Sequence, residues 1–269
     1  MLRKGKVESM NSFKYEAIYI AKKAGYLLKS RFGRKRKVGY KGAINLITEM
    51  DLLSEKMIVS EIRQRFPHHS LLAEEKTSHR TDSPFRWIID PLDGTTNYAH
   101  HYPVFCVSIA LEKNGEIILG VVYDPMLDEV FWAEKGKGAR LNGRKIHVSS
   151  NLKLSQSLLA TGFPYDLREN PVNNLDHFFH FILRAQGVRR AGSAALDLCY
   201  VAAGRFDGFW EMQLGPWDMA AGCLVIREAG GKTTDFLGQP LALDGKQILA
   251  SNRKIHSEMI QVLKIGRTQ

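Results

Sequence analysis

The chain has 269 residues, 44% hydrophobic and 25% charged, a balance typical of a globular protein with enough length to bury a large core. It contains no run of 18 apolar residues, and its basic start, Met1 to Lys6, leads into no apolar stretch, so neither a spanning helix nor a signal peptide is expected and the protein reads as cytoplasmic. The net charge of +10 is uneven: thirteen Lys and Arg against Glu8 and Glu16 give residues 1–41 a charge of +11, and the remainder carries −1. Such a segment reads first as a solvated face that draws an anionic substrate, and it also suits contact with RNA or an acidic partner. Cys106, Cys199 and Cys223 lie far apart in apolar segments and read as buried thiols rather than as a disulfide set or zinc site.

Residues 1–10 form a basic extension. Phe13, Ala17, Ile20, Ala24, Leu27 and Leu28 then recur at helical spacing, predicting an amphipathic helix over 11–32 with Gly33 as its stop. The basic stretch 34–47, around Gly39 and Gly42, reads as a hairpin or mobile loop. A second helix begins near Thr48, with Asp51 completing a capping box, and ends before Pro67; Leu52, Met57, Ile58 and Ile62 would form its buried face. Phe85 to Ile89 is a short buried strand that Pro91 and Gly94 should end. Beyond it the period becomes two, and Val104–Glu112, Glu116–Tyr123, Glu129–Ala133 and Lys145–Val148, with turns at Asn114-Gly115 and Asn142-Gly143, predict an antiparallel meander. After residue 150 helix and strand alternate: a strand at Leu158–Thr161, helices near 172–186 and over Ser193–Ala203, a strand at Phe206–Met212, a helix over Trp217–Ala229, a strand at Gln247–Ala250 and a helix over 254–264. The expected organisation is two layered subdomains, 11–152 and 153–269, sharing a cleft within one compact unit. His68, His69, His100 and His101 read as surface imidazoles, and the four tryptophans, Trp87, Trp132, Trp210 and Trp217, as core or cleft wall.

Chemistry concentrates where acids stand at the ends of three predicted apolar elements. Trp87-Ile88-Ile89 leads into Asp90-Pro91-Leu92-Asp93-Gly94-Thr95-Thr96-Asn97; Leu71-Leu72-Ala73 leads into Glu74-Glu75; and Asp218 stands at the mouth of an apolar helix in Pro216-Trp217-Asp218-Met219-Ala220-Ala221-Gly222. A D-x-x-D alone is more often a capped turn. Three such acids together suit Mg²⁺, which takes oxygen ligands and is commonly held by one or two carboxylates plus substrate phosphate. Glu74, Asp90 and the Leu92 carbonyl could hold one ion, and Asp90, Asp93 and Asp218 a second, while the N–H groups of Gly94, Thr95 and Thr96 offer an anion site. Paired ions of this kind serve in-line displacement at phosphorus. Thr95, within reach of Glu74 or Asp51, could orient the attacking water and relay its proton.

These segments, in this order, resemble the inositol monophosphatase family of Mg²⁺-dependent, lithium-sensitive phosphatases, over roughly residues 12–265. The resemblance implies a mixed α/β fold, a five-layer αβαβα sandwich, commonly a homodimer. It carries the family's metal ligands onto Glu74, Asp90, Leu92, Asp93 and Asp218 for two to three Mg²⁺ ions. The catalytic threonine falls on Thr95, its supporting acid on Asp51, and the mobile-loop lysine on Lys41. Gly192-Ser193-Ala194 and Glu211 match positions that contact substrate hydroxyls, and Glu211 can accept two hydroxyl donors. The implied reaction is hydrolysis of myo-inositol 1-phosphate or a similar sugar phosphate, with fructose 1,6-bisphosphate, histidinol phosphate and adenosine 3′,5′-bisphosphate as alternatives. Some bacterial members also bind the transcription machinery, a second role to which the basic N-terminal region is suited.

Overall fold

The computed structural model describes residues 9–34, 38–40 and 46–265, so the extension over 1–8 and Lys41 lie outside the described residues. The first helix, α1 (Met10–Arg31), starts at Ser9, whose hydroxyl accepts from the Ser12 N–H, and its stripe of Phe13, Ala17, Ile20, Ala24 and Leu28 is buried as the spacing predicts. Short strands β1 (Val38–Tyr40) and β2 (Leu46–Thr48) pair antiparallel, so the described ends of the basic stretch form a hairpin. Then come α2 (Glu49–Arg65), β3 (Ser70–Ala73), β4 (Ser78–His79), β5 (Phe85–Asp93), α3 (Thr95–Ala99), β6 (Cys106–Lys113), β7 (Glu116–Asp124), β8 (Glu129–Glu134), β9 (Ala139–Leu141) and β10 (Arg144–Lys145). The remainder is β11 (Leu158–Thr161), α4 (Leu175–Ile182), β12 (Gly187–Arg189), α5 (Ala194–Ala202), β13 (Gly208–Met212), α6 (Pro216–Glu228), β14 (Lys232–Thr234), β15 (Gln247–Ser251) and α7 (His256–Ile265).

Eight strands form one sheet in the order β10-β9-β8-β7-β6-β5-β3-β4, and five form another in the order β12-β11-β13-β15-β14. The first is antiparallel except for β3 beside β5, and the second mixes parallel β12-β11-β13 with antiparallel β15 and β14. Three buried apolar clusters fix the layers. One packs α1 and α2 on one face of the larger sheet, the next packs α5 and α6 between the sheets, and the third packs α4 and α7 against the far face of the smaller sheet. The sandwich of five layers implied by the resemblance is therefore the architecture found. The central α6 owes its place to small residues: a Cβ on Gly120 of β7 would lie 2.7 Å from the Ala221 carbonyl oxygen, so only glycine lets the helix backbone sit this close to the sheet.

Several boundaries differ from the sequence expectations for physical reasons. The strand at Phe85 does not stop at Pro91 but runs to Asp93, because the pairing with β6 slips between Asp90 and Asp93 and a proline tolerates a bulge that needs no ladder N–H. The helix expected over 172–186 is only α4, since the Asn173 side chain closes a turn ahead of it, the Asn174 amide is drawn across to Thr161 and Gly162, and Gly187–Arg189 pairs with β11. Residues 146–148 extend no ladder beyond Lys145. His69 is not a surface imidazole: it is 3% exposed, accepts from the Trp87 indole at 3.1 Å through Nδ1 and stacks on Phe66, whereas His68, His100 and His101 are exposed. Trp87 and Trp210 are wholly buried, and the three cysteines are buried and unpaired.

Candidate active site

The end of β5 builds the floor of the site. At the bulge, the Leu92 N–H donates to Asp90 Oδ1 at 3.0 Å, which turns the Asp90 carboxylate back along the chain. Gly94 follows with φ at +93°, and a Cβ there would stand 2.9 Å from the Val104 carbonyl oxygen; the glycine is what lets Asp93 and Thr95 lie so close together. Thr95 opens α3, and its hydroxyl donates to Asp51 Oδ1 at 2.7 Å, with the Leu92 carbonyl at 3.1 Å.

The supports come from α2, whose buried face is half polar. Asp51 Oδ2 accepts from the Thr48 N–H at 2.7 Å and the Thr48 hydroxyl at 2.6 Å, so one carboxylate caps its own helix and holds Thr95. One turn on, the Ser54 hydroxyl donates to the Pro91 carbonyl at 2.7 Å. Glu55 then accepts from the Glu75 N–H at 2.9 Å, the Lys76 N–H at 3.1 Å, and the Thr77 N–H and hydroxyl at 2.9 and 2.8 Å, fixing the segment that follows Glu74. Sequence reasoning gave this face to Leu52, Met57, Ile58 and Ile62. The two isoleucines are buried, but Leu52 and Met57 are only partly so, because the helix is turned so that Asp51, Ser54 and Glu55 look inward.

Asp218, in the first turn of α6, accepts from the Gly215 N–H at 2.6 Å, and the Ser108 hydroxyl donates to the neighbouring Trp217 carbonyl at 3.3 Å. This brings one carboxylate oxygen each of Asp90, Asp93 and Asp218 within 4.8 Å of one another. Glu74 lines the same cleft of about 440 Å³, with Leu92, Gly94, Thr95, Thr96, Gly192, Ala194 and Glu211. Burial first, and then the charge of Glu74, push the Asp90 and Asp218 carboxyls well above the ordinary range. Burial raises Asp93 as well, to about 6, against hydrogen bonds from Ser193 and Ala195 that favour its charged form. Burial also raises Glu211, with Asp197 and Asp93 adding to it. A cluster of oxygen donors that repel one another in a cleft fits a hard divalent cation and suits neither zinc's nitrogen and sulfur preference nor a large organic cofactor.

Most residues singled out on the sequence thus meet in one place. Ser193 is the exception within the cleft wall: it is 1% exposed, and its hydroxyl donates to Asp93 rather than opening toward solvent. Residues the sequence reading missed are Ser54, Glu55, Cys106, Tyr165, Arg190 and Asp197. Tyr165 and Arg190 line the cleft, and Asp197 is a buried carboxyl near Glu211 that burial holds well above its usual pKa. Only Glu55 carried a signal, one helical turn from Asp51 on the same face.

The sequence profile of the inositol monophosphatase family matches residues 9–266. The chain belongs to this family. An inositol-1-monophosphatase of Synechocystis is 48% identical over 89% of this chain and 84% of its own length, and a Pseudomonas aeruginosa protein named Nus factor SuhB is 42% identical over 84% and 86%. The crystal structure of the extragenic suppressor protein suhB from Bartonella henselae superposes with a TM-score of 0.90 at 41% identity, covering 94% of this chain and 98% of that one. The chain is accordingly a phosphatase of a generally metal-dependent family.

Proposed function

We propose that this phosphatase is Mg²⁺-dependent and hydrolyses myo-inositol 1-phosphate or a closely similar small sugar phosphate to the alcohol and phosphate. The observation that carries the reading is the convergence of Asp90, Asp93 and Asp218 beside the Thr95–Asp51 pair in a cleft sized for a small molecule. Glu74, Asp90, the Leu92 carbonyl, Asp93 and Asp218 would hold two to three Mg²⁺ ions, which supply charge neutralisation for the phosphate and acidify a water. The first-turn N–H groups of α3, from Gly94 to Thr96, receive phosphate oxygens, and Lys41, by family position, adds a positive charge. Thr95, whose own proton is directed at Asp51, keeps lone pairs free to take a proton from the attacking water, and Asp51 can receive the threonine's proton in turn. On the leaving-group side Glu211 accepts hydroxyls of the polyol, and Gly192 and Ala194 form the adjoining wall, with Ser193 between them turned inward onto Asp93.

Phosphate release should require Mg²⁺ and fall at least a hundredfold in Asp90→Asn; unchanged turnover in that variant would sink the reading. Comparing kcat/KM across inositol 1-phosphate, fructose 1,6-bisphosphate, histidinol phosphate and adenosine 3′,5′-bisphosphate decides the substrate, and titration with lithium checks the sensitivity implied by the family. Two assembly readings join this one. Leu175, Phe179, Ile182 and Leu183 expose an apolar face of α4 that supports a homodimer, which light scattering would test. The name of the Pseudomonas relative and the +11 charge of residues 1–41 support contact with the transcription machinery, and a pull-down at near-physiological salt that recovers none of it would end that reading. No described helix is long and apolar enough to cross a membrane, and three unpaired thiols suit the cytoplasm, where cell fractionation should find the protein.

A further inference from the structure

Asp93 belongs to β5 of the larger sheet, yet its carboxylate is held from the opposite side of the molecule. Oδ2 accepts from the Ser193 hydroxyl at 2.6 Å and the Ala195 N–H at 2.8 Å, with the Cys106 thiol at 3.7 Å; all are buried. Ser193 is the residue before α5, so the first turn of that helix is docked onto the carboxylate. A second strap runs beside the first. The Asn97 amide, in α3, donates to the Val104 carbonyl at 2.7 Å and the Ala191 carbonyl at 2.8 Å, with the Gly192 carbonyl at 3.3 Å. Residues 191–195 are therefore tied at two points to the segment carrying Asp93 and Thr95, and Gly192 and Ala194 from this same stretch line the cleft.

We propose that Ser193 is a positioning residue for Asp93, and that the 191–195 strap couples polyol binding to cation retention. The physical reason is the occupancy of one oxygen. With three donors gathered on Oδ2, that oxygen is saturated and Oδ1 is the one available to a cation, in the orientation the strap dictates. Removing the Ser193 hydroxyl frees the carboxylate to rotate about its last torsion and withdraws a short charge-assisted bond. A polyol that presses on Gly192 and Ala194 stiffens the strap and hence Asp93. A cation that fixes Asp93 in turn orders the wall the polyol must meet, and the two effects are equal by linkage.

The proposal rests on the reading of the acidic cluster as a divalent cation site, and the test separates the two. Mg²⁺ is titrated calorimetrically into the full chain without substrate, for wild type, Ser193→Ala, Ser193→Thr and Ser193→Cys, with thermal unfolding and steady-state kinetics on each. Wild type is expected to bind, Ser193→Ala to bind 10- to 100-fold more weakly, and Ser193→Thr, which keeps the hydroxyl, to stay within about threefold of wild type. At saturating Mg²⁺ the KM of Ser193→Ala for the polyol phosphate is expected within about threefold of wild type, so the defect is rescued by cation. Should Ser193→Ala not fold, Ser193→Cys, near in shape with a weak donor, is expected to show a loss of at least fivefold. Wild type that binds no Mg²⁺ defeats the cation reading itself. Wild type that binds, with Ser193→Ala or Ser193→Cys equal to it in Mg²⁺ affinity and only KM raised, overturns the positioning role and makes Ser193 a direct substrate contact.

Discussion

Replacing Glu55 by glutamine should damage both stability and cation dependence, although residue 55 lines no part of the cleft. The Glu55 carboxylate, 4% exposed, gathers the N–H groups of Glu75, Lys76 and Thr77 and the Thr77 hydroxyl. An amide keeps an acceptor at Oε1 for Lys76 and Thr77 but sets an NH₂ group against the Glu75 N–H, and no bond survives with a full charge on it. Hydrogen bonds to charged groups are worth about 1.5–3 kcal/mol and neutral ones about 0.5–1.5, so three weakened bonds and one lost bond come to roughly 4.5 kcal/mol even from the lower ends of those ranges, lessened where water can reach the N–H of exposed Lys76. At 2–4 °C per kcal/mol for a chain of this size, that lowers the melting temperature by about 9–18 °C. Because Glu74 directly precedes the clamped segment, the Mg²⁺ concentration for half-maximal activity should rise about tenfold. Denaturant unfolding of Glu55→Gln and a Mg²⁺ titration of its phosphatase activity measure both. Unfolding within about 0.5 kcal/mol of wild type together with an unchanged Mg²⁺ curve would refute the clamp.

The raised carboxyls make a pH prediction with a definite sign. Asp93 has its folded pKa lifted from 3.8 to about 6, so the stability it lends the metal-free fold is fully present below 3.8 and is lost as pH rises through about 6. Added Mg²⁺ replaces the missing proton, so its upward shift of the melting temperature should be larger at pH 7.5 than at pH 5; equal shifts would contradict the mutual repulsion assigned to the cluster. Gly94→Ala forces a side chain into the positive-φ region and against the Val104 carbonyl, and it should cost about 2 kcal/mol or more in chemical denaturation and most of the activity.

How far the molecule could be read in advance depended on the kind of signal each part carries. Asp90, Asp93, Glu74 and Asp218 were legible because each stands at one end of an apolar run, where a charge has no packing reason to be. The capping box of Thr48 and Asp51 was legible too, since it is a local spacing, and α1 announced itself by five buried residues in phase. Ser54 was not, and Glu55 only through its place one turn from Asp51, because a polar residue inside a helix looks solvent-facing until the tertiary fold turns it inward. The extension of β5 through Pro91 failed for a related reason: a proline forbids a ladder N–H, but only the register with β6 says whether one was needed at that place. Ser193 was expected to face substrate hydroxyls, but its hydroxyl is turned onto an aspartate a hundred residues earlier, which no local pattern encodes.

The close seating of α6 on Gly120 bears on how variants of this protein should be sorted. Asp218 rides on the first turn of a helix covered by a sheet on either side, so it has no freedom to relax when that middle layer is disturbed. A methyl group added at Gly120 would press on the Ala221 backbone, one turn from Asp218, and the displacement would be delivered to the acidic cluster rather than dissipated at a surface. Inactive variants recovered from a genetic screen will therefore include substitutions deep between the sheets that touch neither substrate nor metal, and melting curves alone will misfile them as folding defects unless cation affinity is measured beside them.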